Sequence, residues 1–214
     1  LFYMLQDKIS NRVMYAIWAE MDKNPKSSLA TFRAAHSDHA DELLPKKWQA
    51  GFLERGSTGP QNLLPVVGVT MPEASLAAAE LGGRLPRFDQ WRKATGALDG
   101  GLPKLPSTNW GKPEPSGVAL DLGEGPWPIT RMTPDVGPTG VRQLLSNGSE
   151  WTREKTDESL VDIYTRPTIE PLIRVVGQRW DGKSDLAEVI QARDASKWAD
   201  TNAGIGFRIV LEPK

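Results

Sequence analysis

PVVGVTMPEASLAAAELGGRLPRFDQWRKATG, Pro65 to Gly96, is the stretch that decides how the rest of the chain is read. Thr70 followed three residues later by Glu73 is a capping box, in which hydroxyl and carboxylate each satisfy a main-chain N–H at the start of a helix. Pro72 suits that first turn because its missing N–H would have had no partner there. The pattern predicts a helix over 72–81, closed by Gly82 and Gly83. Ala74, Ala77, Ala78 and Leu81 fall on one face of it, and small residues let another element approach closely. A second helix is predicted over 88–95, with Phe88, Trp91 and Ala94 on one side and Gly96 as its stop.

Upstream, Leu1 to Leu5 reads as a strand. Ser10 is placed to cap a helix whose face is Val13, Met14, Ile17, Trp18 and Met21, ended by Asn24 and Pro25. From Lys26 to Asn62 polar clusters and glycines break any period, which predicts a long surface excursion; Leu63 to Val69 is a short β-branched run. Downstream, Ala97 to Pro138 is rich in glycine and proline but contains Trp110 and Trp127, so an ordered, loop-rich region is expected. Strand signals follow at Leu160 to Tyr164, Leu172 to Val176 and Gly206 to Leu211. Helices early and short strands late predict an α+β domain.

Composition narrows the function classes. The chain has 214 residues, enough for one sizeable core, and no linker divides it, so residues 1–214 are expected to form a single domain. With 26 basic and 27 acidic residues the net charge is -1, which gives no field to attract nucleic acid or a membrane surface. No apolar run approaches the roughly 18 residues that a membrane span requires, so a soluble domain is expected. The chain opens at Leu1 rather than Met, and a piece of a longer protein is the expectation. There is no cysteine, which excludes disulfides and thiolate metal sites without naming a compartment.

Five segments together resemble the formylglycine-generating enzyme (sulfatase-modifying factor) family. The opening quotation is similar to that family's PVVGVSW, short helix, GGRLP and second helix ending near EWEKAARG. FYMLQDKISNRVMYAIW resembles its opening strand and helix, often written with EVTNAQY where this chain has KISNRVMY. GVRQLLSNGSEWTRE (Gly140 to Glu154) is similar to GLYDMVGNVWEWTRD, RVVGQRW (Arg174 to Trp180) to RVLRGGSW, and IGFRIVLEP (Ile205 to Pro213) to the closing IGFRVV. The resemblance covers nearly the whole chain. It implies a C-type lectin-like fold: a small twisted antiparallel sheet, two flanking helices, first and last strands close together, and much ordered loop. Retroelement-diversified variable receptors share that scaffold, as do domains of larger bacterial proteins, some attached to kinases.

The resemblance also says what this chain lacks. The family's oxidases bind copper through a cysteine pair shortly after GGSW, at positions that fall near Gly182 and Ala187 here, so that chemistry is excluded by composition. His36 and His39, in HSDH, read as solvated surface rather than as a metal pair. The family's calcium site would use Gln143 and Glu150 as oxygen ligands, but its acidic or Asn start and its glycine are altered here, and a salt bridge or turn hydrogen bond is the expected role of Glu150, calcium the alternative. Asp200, Asn202 and Gly204 imitate the start of an EF-hand loop, but Leu211 stands where its closing glutamate is required. No serine elbow, phosphate loop or dinucleotide fingerprint is present. Trp91, Trp151 and Phe207 read as buried anchors. Arg208 is either exposed on the opposite face of its strand or buried with a carboxylate or carbonyl partner. The paired arrangement is the expectation for it and for Arg84.

Residues 177–204 occupy the position of the family's active site and of the receptors' variable surface. They mix Trp180 and Trp198 with Arg179, Asp181, Lys183, Asp185, Arg193, Asp194, Lys197, Asp200 and Asn202. Rings contribute contact area and polar groups fix orientation, which is the composition of a recognition patch. Trp180 as core and the charges as ordinary solvated loop is the competing reading. The expectation is a ligand-binding module for a protein or small molecule; a divergent oxidase-like enzyme and a regulatory domain of a larger protein are the alternatives.

Overall fold

The helices form where local signals are strongest. In the computed structural model, which describes residues 1–38, 43, 45, 48–49, 60–96, 126, 128–130, 136–145, 147–153, 173–177, 193–194 and 204–213, β1 (Tyr3–Met4) precedes α1 (Asn11–Lys23). The Ser10 side chain accepts from the Val13 N–H, and Met14, Ile17, Trp18 and Met21 make one buried stripe. Val13 lies at the margin of that stripe, about 90° from its centre at 100° per residue, and stays 39% exposed, contrary to its assignment to the apolar face.

The excursion expected over Lys26 to Asn62 is instead partly core. Ser27 caps α2 (Ser28–Ala35), which buries Leu29 and Phe32, and Trp48 packs edge-on against Trp18 with ring centroids 5.8 Å apart. A 3-10 turn spans Pro60–Leu63. The chain then runs extended, with the Val66 N–H donating to Ile9 O at 2.8 Å.

The capping box forms as read. Thr70 N donates to Glu73 Oε2 at 2.8 Å, Glu73 N to Thr70 Oγ1 at 3.4 Å, and α3 (Met71–Glu80) follows. Ala74, Ala77 and Ala78 are buried where α3 packs on α1 and α2; Leu81, expected on that face, is 46% exposed because the helix has already ended. Gly83 then passes so close to the last strand that a Cβ would stand 2.4 Å from Ile209 Cγ2. Beyond it, α4 (Phe88–Ala94) buries Trp91 and Ala94 and is capped at Thr95.

Two small sheets complete the frame. β1 pairs antiparallel with β6 (Val210–Leu211), Tyr3 opposite Leu211, so the two ends of the chain lie side by side. The second sheet has the order β4-β3-β2-β5, built from Arg193–Asp194, Ile173–Val176, Ser149–Arg153 and Ile205–Gly206. Its pairings are antiparallel except β2 with β5, which is parallel, a departure from the wholly antiparallel sheet expected. The expected strand over Gly206 to Leu211 is divided at Phe207 to Ile209, where the chain passes from one sheet to the other. Successive side chains of a strand face opposite sides. Val175 accordingly joins the core of α1, α2, α3, Trp151 and Phe207, whereas Val176 joins a second core with Trp91, Val141, Leu144 and Leu145. The strand predicted at Leu160 to Tyr164 and most of the tryptophan-bearing stretch Ala97 to Pro138 lie outside the described residues.

Candidate functional site

Between the two sheets lies a buried ionic cluster. Arg208 sits between the buried Phe207 and Ile209, and its side chain is itself fully enclosed. A guanidinium has five N–H donors and no acceptor, so enclosure demands several oxygens. Nε and Nη2 reach Glu150 at 3.2 and 3.0 Å, Nη2 also reaches Arg142 O at 2.8 Å, and Nη1 donates to Leu5 O at 3.0 Å and Gln6 O at 2.7 Å. One side chain thus ties the opening strand, the turn at Arg142 and β2 together. Lys8 approaches from the other side, bonding Glu150 Oε1 and donating to Gly148 O at 2.9 Å. Asp7 in turn clamps the Arg142 guanidinium, with Nε to Oδ1 at 2.7 Å.

Burial alone would push the Glu150 carboxyl up; Arg208 and Lys8 outweigh it and hold the group below the usual carboxylate range. The cluster of Glu150, Arg208 and Lys8 therefore carries one excess positive charge. That bears on the calcium ligands implied by the resemblance. Both Glu150 oxygens are engaged by cations, and Gln143 Oε1 accepts from Asn147 Nδ2 at 2.7 Å while its Nε2 donates to Pro128 O at 3.2 Å. A further cation would face two positive charges, so Gln143 and Glu150 as arranged here do not fit a calcium site. Nor does copper chemistry have its thiolates. Among the described residues no three or more His, Cys, Asp and Glu side chains converge on a metal position.

The remaining structural assignments divide. Trp91, Trp151 and Phe207 are wholly buried, and the Trp151 indole N–H donates to Val69 O at 2.9 Å. Arg84 differs from its expected burial: its main chain bridges to Val210 in both directions, and its side chain is exposed. His36 is half-buried against Phe32, ring centroids 5.2 Å apart, rather than solvated; His39 lies outside the described residues.

The expected recognition surface is defined here by its frame. Arg179, Trp180, Asp181, Lys183, Asp185, Lys197, Trp198, Asp200 and Asn202 lie outside the described residues, and Arg193 contributes its main chain to β4. The segment leaves β3 at Gly177 and returns at Gly204. Both ends are held by one residue: Ser149 N donates to Gly204 O at 2.8 Å, and Ser149 Oγ donates to Gly177 O at 3.3 Å. Gly177 has φ +72, and a Cβ there would lie 3.0 Å from Leu144 O, so this exit from β3 suits glycine. Antiparallel pairing of Val175 with Arg193 makes the chain re-enter the sheet at the end it left.

Sequence reasoning missed Lys8, Ser149, Asp7 and Arg142 as parts of this arrangement. One signal was available: KISN stands where the family pattern reads EVTN, so a lysine replaces a glutamate at residue 8.

Two solved structures share this architecture. The crystal structure of CarF aligns with a TM-score of 0.57 at 16% identity, covering 100% of this chain and 87% of its own. Treponema denticola variable protein 1 aligns with a TM-score of 0.60 at 15% identity, covering 99% and 84%. Both are C-type lectin-like, and at these identities the likeness defines the fold: this chain has an α+β, C-type lectin-like architecture. No protein-family profile and no curated protein matches the sequence. Among the described residues no helix is long and apolar enough to cross a membrane.

Proposed function

We propose that this chain is a non-catalytic recognition module, a formylglycine-generating-enzyme-like variant of the C-type lectin scaffold that holds a protein or small-molecule partner on the surface of residues 177–204. The observation that carries the reading is the pinning of both ends of that segment on Ser149, at the rim of a sheet whose interior is cross-linked by Arg208. A scaffold fixed at this point can present Trp180, Trp198 and the arginines and carboxylates around them while the core stays unchanged. The absence of cysteine removes the oxidase alternative's reactive pair. A net charge of -1 disfavours nucleic acid as the partner.

The test is a selection of binders from a random peptide display library and from an immobilised glycan panel, run with the native chain and with Trp180→Ala/Trp198→Ala. Binders enriched by the native chain and lost by the double variant, at equal melting temperature, support the reading. Binders indifferent to both substitutions, or none retained from either library, sink it.

A further inference from the structure

We propose that Lys8 is the positioning residue of the recognition segment, acting through the single peptide unit that joins Gly148 to Ser149. The inference rests on the recognition reading for its significance, but not for its geometry.

A trans peptide is a rigid plane whose carbonyl oxygen and N–H point in opposite directions, so holding one end aims the other. Here the oxygen end, Gly148 O, accepts from Lys8 Nζ at 2.9 Å, and the N–H end, on Ser149, donates to Gly204 O at 2.8 Å. The ammonium therefore aims the hydrogen bond that fastens the returning end of the segment. Its second bond, to Glu150, fixes the residue on the other side of Ser149. With both neighbours held, the Ser149 hydroxyl stays directed at Gly177 O, the departing end. Asn147 and Gly148 have φ values of 63 and 106, a stretch of positive-φ backbone immediately before β2 that the Lys8 bond to Gly148 O helps to hold.

Lys8 and Arg208 divide the labour around one carboxylate. Arg208 binds Glu150 and the carbonyls of Leu5, Gln6 and Arg142, all on the framework; the carbonyl that Lys8 binds, Gly148 O, belongs to the anchor. Removing Lys8 leaves Glu150 with its Arg208 partner and leaves the framework carbonyls satisfied. Loosening is expected to fall on the segment rather than on the fold.

Hydrogen exchange of the native chain and of Lys8→Met, which keeps the side chain's apolar length, tests this without any ligand. The expected result is exchange about tenfold or more faster at the Ser149 amide, the scale on which a hydrogen bond to a charged group is worth a factor of ten. Faster exchange is also expected in peptides from 178–203, with α1 and α3 unchanged and with Lys8→Arg restoring part of the protection. Unchanged exchange at Ser149, equal acceleration in α1 and α3, or failure of Lys8→Met to fold would each overturn the proposal. A failed binder selection with the exchange result intact would remove the recognition reading and leave the anchor standing.

Discussion

Two ionic clusters in this protein have nearly the same composition and very different surroundings. In the interior, Glu150 is shared by Arg208 and Lys8, with side-chain exposures of 0, 0 and 1%. At the rim, Glu212 is shared by Arg87 at 2.9 Å and Arg153 at 3.1 Å, with Gln90 Nε2 at 2.7 Å, and the carboxylate is 25% exposed. Both tie the end of the chain to β2. In both, burial pushes the carboxyl up and its partners win: Arg208 and Lys8 for Glu150, and Gln90, Arg153 and Arg87 for Glu212, so each group stays below the usual range. The lesson of the pair is that the partners decide the charge state, whereas burial decides what losing a partner costs. Water can replace a missing donor at Glu212, whereas the enclosed Glu150 depends on whichever of its two partners remains.

The largest effect should therefore follow Arg208→Met. It strands part of the Glu150 charge and leaves the carbonyls of Leu5, Gln6 and Arg142 without their donor, and breaking a buried pair in this way costs about 3–5 kcal/mol. Urea denaturation should show a midpoint far below that of the native chain. A loss under about 1 kcal/mol, the range of exposed pairs, would erase the distinction between the two clusters.

Acid gives the next contrast. A carboxyl whose folded pKa is depressed binds fewer protons than in the unfolded chain, so it contributes stability above its unfolded value, about 4.3 for glutamate, and that contribution is lost as pH falls through the lower folded value. Glu150 and Glu212 both have this sign. Measured by melting temperature from pH 5 downward, Glu150→Gln and Glu212→Gln should each give a shallower acid decline than the native chain. The flattening should be greater for Glu150→Gln, since solvent screens the rim group. Equal flattening would mean that burial adds nothing.

The same contrast explains what the sequence revealed. α1 and α3 were readable because their determinants are local: Ser10 with Val13, Thr70 with Glu73, and stripes of period 3.6. α2 was not, since Leu29 and Phe32 alone among its residues are buried, too few to set a period. β2 gave no strand signal at all. Its residues Ser149, Glu150, Trp151, Thr152 and Arg153 are all buried, so polar side chains occupy positions where alternation would have been expected. Glu150 and Arg208 could be singled out from matched motifs, but Lys8 lies 142 positions from its carboxylate, and no spacing rule reaches that far. The tryptophans of 177–204 were visible by composition alone, which says what a segment is made of and not how it is arranged.

A smaller effect is expected at the rim. Glu212→Gln keeps an acceptor for Gln90 and for one arginine while removing the charge, and its neighbours are already partly solvated, with Arg87 also bonded to Asp89 at 2.8 Å. The loss should be about 1 kcal/mol or less. It should shrink in 0.5 M salt, because screening reaches exposed charges and not buried ones. Salt dependence of similar size for Arg208→Met would show that water enters the inner cluster too.

Calcium provides the sharpest way to break the comparison, because the expected effect is none. A calcium ion at Gln143 and Glu150 would have to draw the carboxylate away from Arg208 and Lys8, leaving two enclosed cations unpaired, and would gain an amide oxygen that already accepts from Asn147. Ligand binding to the folded state raises stability by RT ln(1 + [L]/Kd), so millimolar calcium should leave the melting temperature unmoved. A rise that disappears in Glu150→Gln would mean that the carboxylate exchanges partners readily. Glu150 would then behave like Glu212, and the inner cluster would be a site rather than a fastening.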